Sequence, residues 1–418
     1  MSPPTGRFLA CAGFLFIAAT TLVPLPQQEW AARLTPWWCL ICGEHGGQDV
    51  VNNVLLFIPF ALGLRIVGLS SRAVVVTGCL VSAGIEFLQW SVIPGRDASL
   101  SDVLTNTIGT LVGATLGSHR VQLVRPTPRT VVRLAACWGA LWLTVQIGSA
   151  LLLQPWGPAD ELRGFWARRV FGRPRFNGEV VSANLSGTPI PTDSQPLSSE
   201  MARQIRAGRF DLQLRLRSGR SGKWSSVVEV LGPRGSVTAI EAIGGDLAFQ
   251  PPMRSSLLRL GRPGLRMPGA LSSPPGSELT LVARDRGSTL EAEWTSSSRT
   301  QRVWQALGPS LGWSLLAPFR YTYGWDTSII TMLWLAVWLL PLGYWTPHVS
   351  GRPFIRWGAV LLLVALGVGL IPLLTGYSPA RFYEWLGALL GLVAGAGGSW
   401  GMTYFEARCG SLSTKESS

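Results

Sequence analysis

Long apolar runs alternate along the chain with one central polar stretch. Seven runs are close to the ~20 residues that a helix needs to cross the hydrocarbon core of a bilayer. A further run, at 100–118, is less apolar but of similar length. We therefore predict about eight transmembrane helices, at 8–25, 50–69, 73–93, 100–118, 134–153, 327–345, 354–374 and 382–402.

The central stretch has a different period. Apolar and polar residues alternate in four segments, 210–217, 224–231, 278–284 and 290–294, which are separated by Gly, Pro and Ser. Alternation of this kind predicts strands with one buried face. The fold class is thus an α-helical polytopic membrane protein with one all-β sandwich domain of the jelly-roll type. The predicted domains are a five-helix region (1–154), the sandwich (155–325), a three-helix region (326–403) and a tail (404–418).

Arginine residues in the loops predict the orientation. With the N-terminus inside, the loops assigned to the cytoplasm carry two or more positive residues each, whereas the short outer loops carry one. Lys and Arg are retained on the cytoplasmic side of membranes. We therefore predict a multi-pass protein of the bacterial inner (plasma) membrane, with both termini cytoplasmic and residues 155–325 extracytoplasmic.

Charge changes the picture mainly in the central stretch. Only 14% of the 418 residues are charged, and the net charge is +13. Residues 155–325 hold 22 Lys and Arg against 13 Asp and Glu, a difference of +9. These positive residues form no dense basic helix, which excludes nucleic acid as the expected partner. They suit anionic lipid or envelope polymer. Neither a nucleotide loop nor a metal triad is present, so we predict no cofactor.

Cys39 and Cys42 form a Cys-x-x-Cys motif in the first loop, and His45 follows three residues later. These residues supply at most three ligands, whereas a closed zinc site needs four. A disulfide is favoured over a metal site in an oxidising compartment. An unpaired state of both cysteines stays open.

Polar residues interrupt three of the apolar runs near one end. They are Asp49, Asn53, Glu86, Gln89, Arg96, Asp102 and Asn106. Their spacings of three and four residues place neighbours on one helix face, and the predicted topology puts them all in the outer half of the membrane. A charged side chain at the bilayer centre costs about 3 kcal/mol on insertion scales, so such groups turn inward and pair. Arg96 is then the natural counter-ion of Glu86, Asp102 or both.

Two interpretations of these polar residues compete. They form either a structural network that joins three helices or an outward-facing pocket that receives a headgroup, a sugar or a drug. One pairing would suffice to join the helices, whereas this set has at least five members. A large buried polar network is costly when it is left unfilled. We therefore favour the pocket.

Two glycine stripes repeat every four residues, Gly109, Gly113 and Gly117 in one and Gly387, Gly391 and Gly395 in the other. Such stripes allow close contact between helices. Glu384 precedes the second stripe by three residues, as Asn106 precedes the first. The second stripe thus echoes the first, and Glu384 is a candidate further member of the pocket. The alternative is that membrane helices are commonly rich in glycine.

The polar pattern over about 49–118 resembles the VanZ-like family of small bacterial membrane domains. It comprises Asp49-x-x-x-Asn53, Glu86-x-x-Gln89, Pro94-Gly95-Arg96, Asp102 and Asn106-x-x-Gly109. This family takes its name from an accessory protein of glycopeptide resistance, so the resemblance implies a cell-envelope role and an effect on glycopeptide susceptibility. It implies no established reaction. The strand pattern of the central domain is similar to laminin-G and concanavalin A-like domains, which implies polysaccharide binding.

Three functions follow from these observations. The first is binding: an outward pocket for a lipid-linked or glycan headgroup, with a sandwich that binds envelope polysaccharide. The expected partners are membrane lipids and a lipid-linked sugar, an envelope glycan or a glycopeptide. The second is a non-enzymatic scaffold of an envelope or polysaccharide assembly. The third is an outer-leaflet transferase in which Glu86 or Asp102 acts as general acid or base.

Overall fold

The structure is a computed structural model of the chain. It describes residues 3–24, 37–41, 43–93, 96, 98–159, 161–168, 175–219, 224–233, 235–296, 299–318 and 321–415. The α-helices are α1 (Pro3–Thr21), α2 (Gly46–Val67), α3 (Ser71–Ser91), α4 (Leu100–Ser118), α5 (Arg120–Val124), α6 (Pro128–Leu152), α7 (Ser199–Ala207), α8 (Thr327–Trp345), α9 (Pro353–Val364), α10 (Ile371–Leu374) and α11 (Phe382–Lys415). A π-helical segment, Ala365–Leu370, joins α9 to α10.

Among the described residues, six helical stretches are long and apolar enough to cross a membrane. They are Gly46–Val67, Ser71–Ser91, Pro128–Leu152, Thr327–His348, Pro353–Leu374 and Phe382–Met402. The chain is therefore a multi-pass membrane protein. The predicted count of about eight is not confirmed, because α1 and α4, each 19 residues long, fall short of the hydropathy that these six stretches reach. Arg7 in α1 and Asp102 in α4 contribute to this difference. These two crossings stay predictions.

Local signals explain where the helices of the first half begin and end. The Ser70 side chain accepts a hydrogen bond from the backbone N–H of Ala73 at the start of α3. Ser99 does the same for Ser101 at the start of α4. Such caps satisfy backbone donors that have no partner within the helix. After α2, Gly68 takes a left-handed conformation with φ of 117°, which a side chain would disfavour.

The middle of the chain is a sandwich of two sheets. Its strands are β1 (Arg163–Trp166), β2 (Glu179–Leu185), β3 (Thr188–Pro189), β4 (Asp193–Pro196), β5 (Phe210–Arg217), β6 (Ser225–Gly232), β7 (Gly235–Ile243), β8 (Asp246–Gln250), β9 (Gly264–Met267), β10 (Glu278–Asp285), β11 (Thr289–Ser296), β12 (Arg299–Ala306) and β13 (Thr322–Tyr323). The seven-stranded sheet has the order β13-β9-β8-β7-β6-β1-β4, and the six-stranded sheet has the order β12-β11-β10-β5-β2-β3.

The core of the sandwich lies between the two sheets. Buried and exposed residues alternate along β5, as the sequence pattern predicts. Phe210 of β5 meets Phe249 of β8 edge to face, with ring centroids 6.1 Å apart. The predicted β-sandwich is therefore confirmed, whereas its assignment as a jelly roll stays a prediction.

The chain divides into two compact units. The first unit comprises Met1–Arg120, Pro155–Gln305 and Ser314–Thr322, and thus contains α1–α4 and most of the sandwich. The second unit comprises Val121–Gln154, Ala306–Trp313 and Tyr323–Ser418, and contains α6 and α8–α11.

In each unit a glycine stripe makes a close helix contact. In the first unit the stripe of α4 lies against α2, where a Cβ atom at Gly109 would be 2.2 Å from the carbonyl oxygen of Val54. In the second unit the stripe of α11 lies against α8, where a Cβ at Gly387 would be 2.5 Å from the carbonyl oxygen of Met332. Only a residue without a side chain fits at such distances.

The two contacts have the same spacing in the sequence. Both 109 minus 54 and 387 minus 332 equal 55, and the next glycine of each stripe repeats that spacing with Ile58 and Ala336. The helices therefore align without a gap when 278, which is 387 minus 109, is added to the earlier numbers. Gly46 then matches Gly324, and Pro94 matches Pro372. We call residues 46–118 the first repeat and residues 324–396 the second repeat.

Candidate functional site

The polar residues of the first repeat lie where α2 and α4 begin and α3 ends. Asp49 and Asn53 belong to α2, Glu86 and Gln89 to α3, Arg96 to the segment after it, and Asp102 and Asn106 to α4. We call these seven residues the polar cluster. Glu86, Gln89 and Asn106 are buried. The cluster lies entirely within the first unit.

Electrostatic interactions connect the charged members of the cluster. The Arg96 guanidinium lies close enough to interact with the carboxyl groups of Asp102, Asp49 and Glu86. The Asp102 carboxyl interacts with that of Asp49 and accepts a hydrogen bond from the Asn53 amide. Three carboxyl groups and one guanidinium thus share one region, so acidic groups predominate.

Glu86 joins α3 to the start of α4. Its Oε2 atom accepts a hydrogen bond of 2.8 Å from the backbone N–H of Ser99. Ser99 is the residue that precedes the first turn of α4. A negative charge is favourable there, because the N–H groups of the first turn have no partners within the helix. Glu86 therefore has a structural role.

Gln89 and Arg96 bind the carboxyl end of α1. Gln89 Nε2 donates to the carbonyl oxygen of Thr21 at 2.9 Å. Arg96 donates to Thr20 O at 2.8 Å and to Val23 O at 3.2 Å. A cation is favourable at this end of a helix.

These contacts add backbone partners to the expected role of Arg96 as a counter-ion. Among the described residues it makes no direct ion pair with Glu86 or Asp102, and its Nε and Nη2 atoms donate to backbone carbonyl groups. It acts on the two carboxyl groups at longer range.

Asn106 is the most buried member of the cluster. Its Nδ2 atom donates a hydrogen bond of 2.9 Å to the Ser82 hydroxyl of α3. Its Oδ1 atom is buried and has no hydrogen-bond partner among the described residues. An unsatisfied buried acceptor costs about 1–3 kcal/mol. Asn106 is therefore the member of the cluster best suited to receive a donor from a ligand.

The sandwich contacts the same end of α2. Gln48 Nε2 donates to Ala317 O at 2.8 Å, and Asn52 Nδ2 donates to Leu316 O at 3.0 Å. One residue further along, Asp49 and Asn53 belong to the polar cluster. Because successive helix residues are turned by about 100°, the first turns of α2 serve the sandwich and the cluster side by side.

An ion pair reinforces this junction. Arg262, only 5% exposed, lies 2.6 Å from Glu44, just before α2. The backbone N–H of Gln48 also donates to the carbonyl of Arg259. Sequence reasoning missed these contacts, and their only signal was that Gln48 and Asn52 are polar residues in an apolar run.

Glu384 belongs to the second unit. Its Oε2 atom accepts a hydrogen bond of 2.8 Å from the backbone N–H of Arg381, the residue before α11. The Ser310 hydroxyl donates a second one. Glu384 thus caps its own helix in the manner of a capping box. Its membership of one pocket with the polar cluster stays a prediction.

Cys39 is disulfide-bonded. Cys42, its predicted partner, lies outside the described residues. Within the described part of the chain, no group of His, Cys, Asp and Glu is arranged to hold a metal ion.

Comparison with known proteins identifies one region. A family model described as VanZ/LLP1 matches residues 12–121. This match confirms the resemblance that the polar pattern indicates, and it covers the polar cluster while leaving the sandwich and α8–α11 outside. Neither a curated protein nor a solved structure matches the chain. The laminin-G-like and concanavalin A-like resemblance is not confirmed.

Proposed function

We propose that this multi-pass membrane protein serves the bacterial cell envelope and that its polar cluster is a pocket for a lipid-linked or glycan headgroup. The VanZ/LLP1 match over residues 12–121 supports the envelope role and an effect on glycopeptide susceptibility. The proposal includes the predicted orientation, in which the cluster and the sandwich face the outside.

The main support for this proposal comes from the second repeat, because its helices pack without three of the residues of the polar cluster. At the positions of Asp49, Asn53 and Asp102 it has Thr327, Thr331 and Ala380. Its glycine stripe nevertheless makes the same close contacts with α8 that the first stripe makes with α2. Carboxylates at the positions of Asp49 and Asp102 are therefore not required to join these helices. A structural network does not explain why the first repeat carries them there, whereas a ligand does.

The contacts divide the cluster into two groups. Glu86, Gln89 and Arg96 bind backbone groups at the ends of α4 and α1, so they position the helices around the site. The remaining members face the proposed ligand. They are Asp49, Asn53, Asp102 and Asn106.

The sandwich, residues 155–325 in the predicted division, is proposed to bind envelope polysaccharide. Its net charge of +9 favours an anionic polymer. Arg215 and Arg217 on β5, which pair with Glu278 and Glu179, and Trp304 on β12 are exposed and offer hydrogen-bond donors and an aromatic surface. Binding of the full-length protein to heparin should weaken as salt is raised, because exposed charges are screened within ~8 Å at physiological ionic strength. An absence of binding at low salt would contradict this part.

The pocket is tested by changing its ligand-facing residues. Asp49→Asn, Asn53→Ala and Asp102→Asn should each reduce the headgroup lipid that native mass spectrometry detects on the purified full-length protein. Asp326→Asn, the same chemical change at the start of α8, is the matched control and should leave the bound lipid unchanged. Unchanged lipid in all three variants would favour the scaffold instead.

A further inference from the structure

A segment of the chain occupies the part of the second repeat that corresponds to the polar cluster. This segment is Ala306–Trp313, which belongs to the second unit. Its Ser310 hydroxyl donates to the carboxylate of Glu384. Its Trp313 Nε1 atom donates to the Thr331 hydroxyl at 3.0 Å. A crevice beside it is lined by residues of the segment and by the start of α11.

Both receiving residues have counterparts in the polar cluster. With the offset of 278 positions, Glu384 corresponds to Asn106, and Thr331 corresponds to Asn53. The chain thus supplies its own hydrogen-bond donors at two positions of the second repeat. In the first repeat, the Oδ1 atom of Asn106 is buried without a partner among the described residues. The same position is therefore satisfied from within in one repeat and left to an outside donor in the other.

The other groups of the cluster restrict what that donor is. Asp49 and Asp102 are acceptors once they are ionised. The Asn53 amide is already used by Asp102, and the Nε and Nη2 atoms of Arg96 donate to carbonyl groups of the chain. The site therefore offers mainly acceptors. A phosphate placed here would face like charges, whereas a group with several hydroxyls would find partners.

We infer that the ligand of the polar cluster is a polyol, such as a sugar, which donates a hydroxyl hydrogen bond to Asn106 Oδ1 as Ser310 does to Glu384. This inference rests on the proposed pocket and names its ligand chemistry. A polyol reaches the site either as the headgroup of a lipid or as a free sugar.

The test uses the full-length protein in phosphatidylcholine nanodiscs. The probe is glucosyl-diacylglycerol, a neutral lipid with a sugar headgroup, and native mass spectrometry measures its binding. Asn106→Leu should weaken binding about tenfold, because one hydrogen bond to a buried acceptor is lost. Asn106→Asp keeps an acceptor and should bind within about threefold of the wild type. Asp326→Asn, at the start of α8, is the control and should leave binding unchanged.

Two further arms identify the chemistry and its source. Diacylglycerol without the sugar should not bind, and equal binding of both lipids would overturn the inference even if Asn106→Leu fails to fold. Free glucose is added as a competitor. Displacement of the lipid would support a soluble sugar, and retention would support a lipid-borne one.

The variants distinguish this inference from the proposed function. If Asn106→Leu binds the glycolipid as the wild type does while Asp102→Asn loses binding, the polyol inference is overturned but the proposed pocket stands. Wild-type binding by both variants would overturn both. We expect Asn106→Leu and Asp102→Asn both to lose glycolipid binding and Asn106→Asp to retain it.

Discussion

The two repeats share a backbone contact but have different interiors. In the first repeat, carboxyl and amide groups lie among α2, α3 and α4. In the second, Val364 and Val368 pack with Leu339, Leu342 and other apolar residues in one buried cluster. The close approach of glycines to a neighbouring backbone is common to both. The comparison indicates that the glycine contact determines helix packing, so the remaining positions were free to carry polar groups in one repeat and an apolar core in the other.

The start of the third helix shows the same divergence. In the first repeat, Glu86 of α3 accepts the N–H of Ser99 before α4. In the second repeat the position of Glu86 is Val364, and Glu384 of α11 accepts the N–H of Arg381 from within its own helix. Each repeat therefore satisfies the backbone donor of the residue that precedes its third helix, but the carboxylate comes from a different helix.

The largest effect is expected where the repeats agree. Gly113→Leu and Gly391→Leu place a Cβ atom 2.5 Å from Ile58 O and 2.4 Å from Ala336 O, so the helices must separate. Overpacking of this kind costs at least about 1–3 kcal/mol, and we expect little monodisperse protein from either variant. Size-exclusion chromatography in detergent measures the amount of monodisperse protein. Gly84→Leu in α3 is the control, because nothing lies near its Cβ position. Normal yield of one glycine variant would break the equivalence of the repeats.

A second effect separates unfolding of the sandwich from unfolding of the helices. Burial raises the pKa of the Asp285 carboxyl in β10 from 3.8 to about 7. Between these values the folded state binds more protons than the unfolded state, so stability falls as pH rises. Above about pH 7 the loss amounts to about 4 kcal/mol. Asp285→Asn should abolish this pH dependence.

The measurement is chemical unfolding of the full-length protein at several pH values, followed by the β signal of circular dichroism. Asp193→Asn, at an exposed position in β4, is the control. A pH dependence that persists in Asp285→Asn would assign it to other groups. With the sandwich transition identified, the remaining transition reports the helices of the repeats.

A smaller effect on stability is expected at Glu86 and Arg96, two positions where the repeats differ most. The corresponding residues of the second repeat are Val364 and Leu374. Arg96→Gln should cost about 1–3 kcal/mol through lost bonds to α1. Glu86→Gln keeps an acceptor for Ser99 N–H and should cost less than about 1 kcal/mol. Since the two side chains share no direct bond, their coupling in a double-mutant cycle should be about 0.5 kcal/mol or less. A coupling of several kcal/mol would restore the ion pair that the sequence predicts.

The smallest perturbation tests whether the repeats run in the same direction across the membrane. Single cysteines replace Arg72 after α2 and Ser350 after α8, both exposed, and Ser199 in the sandwich. A membrane-impermeant reagent outside the cell should label Ser199→Cys and neither of the other two. If only one of Arg72→Cys and Ser350→Cys is labelled, the two repeats run in opposite directions across the membrane. The residue-by-residue comparison would then fail.

Periodicity in the sequence predicts most elements well. The alternating segment 210–217 is β5 with the same bounds, and 278–284 falls one residue short of β10. Both patterns arise from burial of one face, which depends on each residue's own side chain. The polar cluster was predictable for the same reason, because charged side chains in apolar runs are visible in one sequence.

Partners on the backbone could not be predicted in this way. Arg96 bonds to carbonyl groups of α1, and Gln48 and Asn52 bond to carbonyl groups of residues 316–317. A backbone carbonyl is present at every residue and so leaves no signature in the sequence. The carboxyl groups that composition offers to Arg96 do interact with it electrostatically, but its hydrogen bonds go to the backbone.

The junction between α2 and the sandwich has a consequence for biosynthesis. Gln48 and Ala317 are separated by 269 positions. At about 5–20 residues per second, roughly 15–50 s pass between the synthesis of the two. Throughout that interval the first repeat can insert into the bilayer, but the beginning of α2 lacks its final partners. The first repeat therefore matures only after the sandwich has been translated and folded, and a nascent chain that stalls before residue 317 should leave it incomplete.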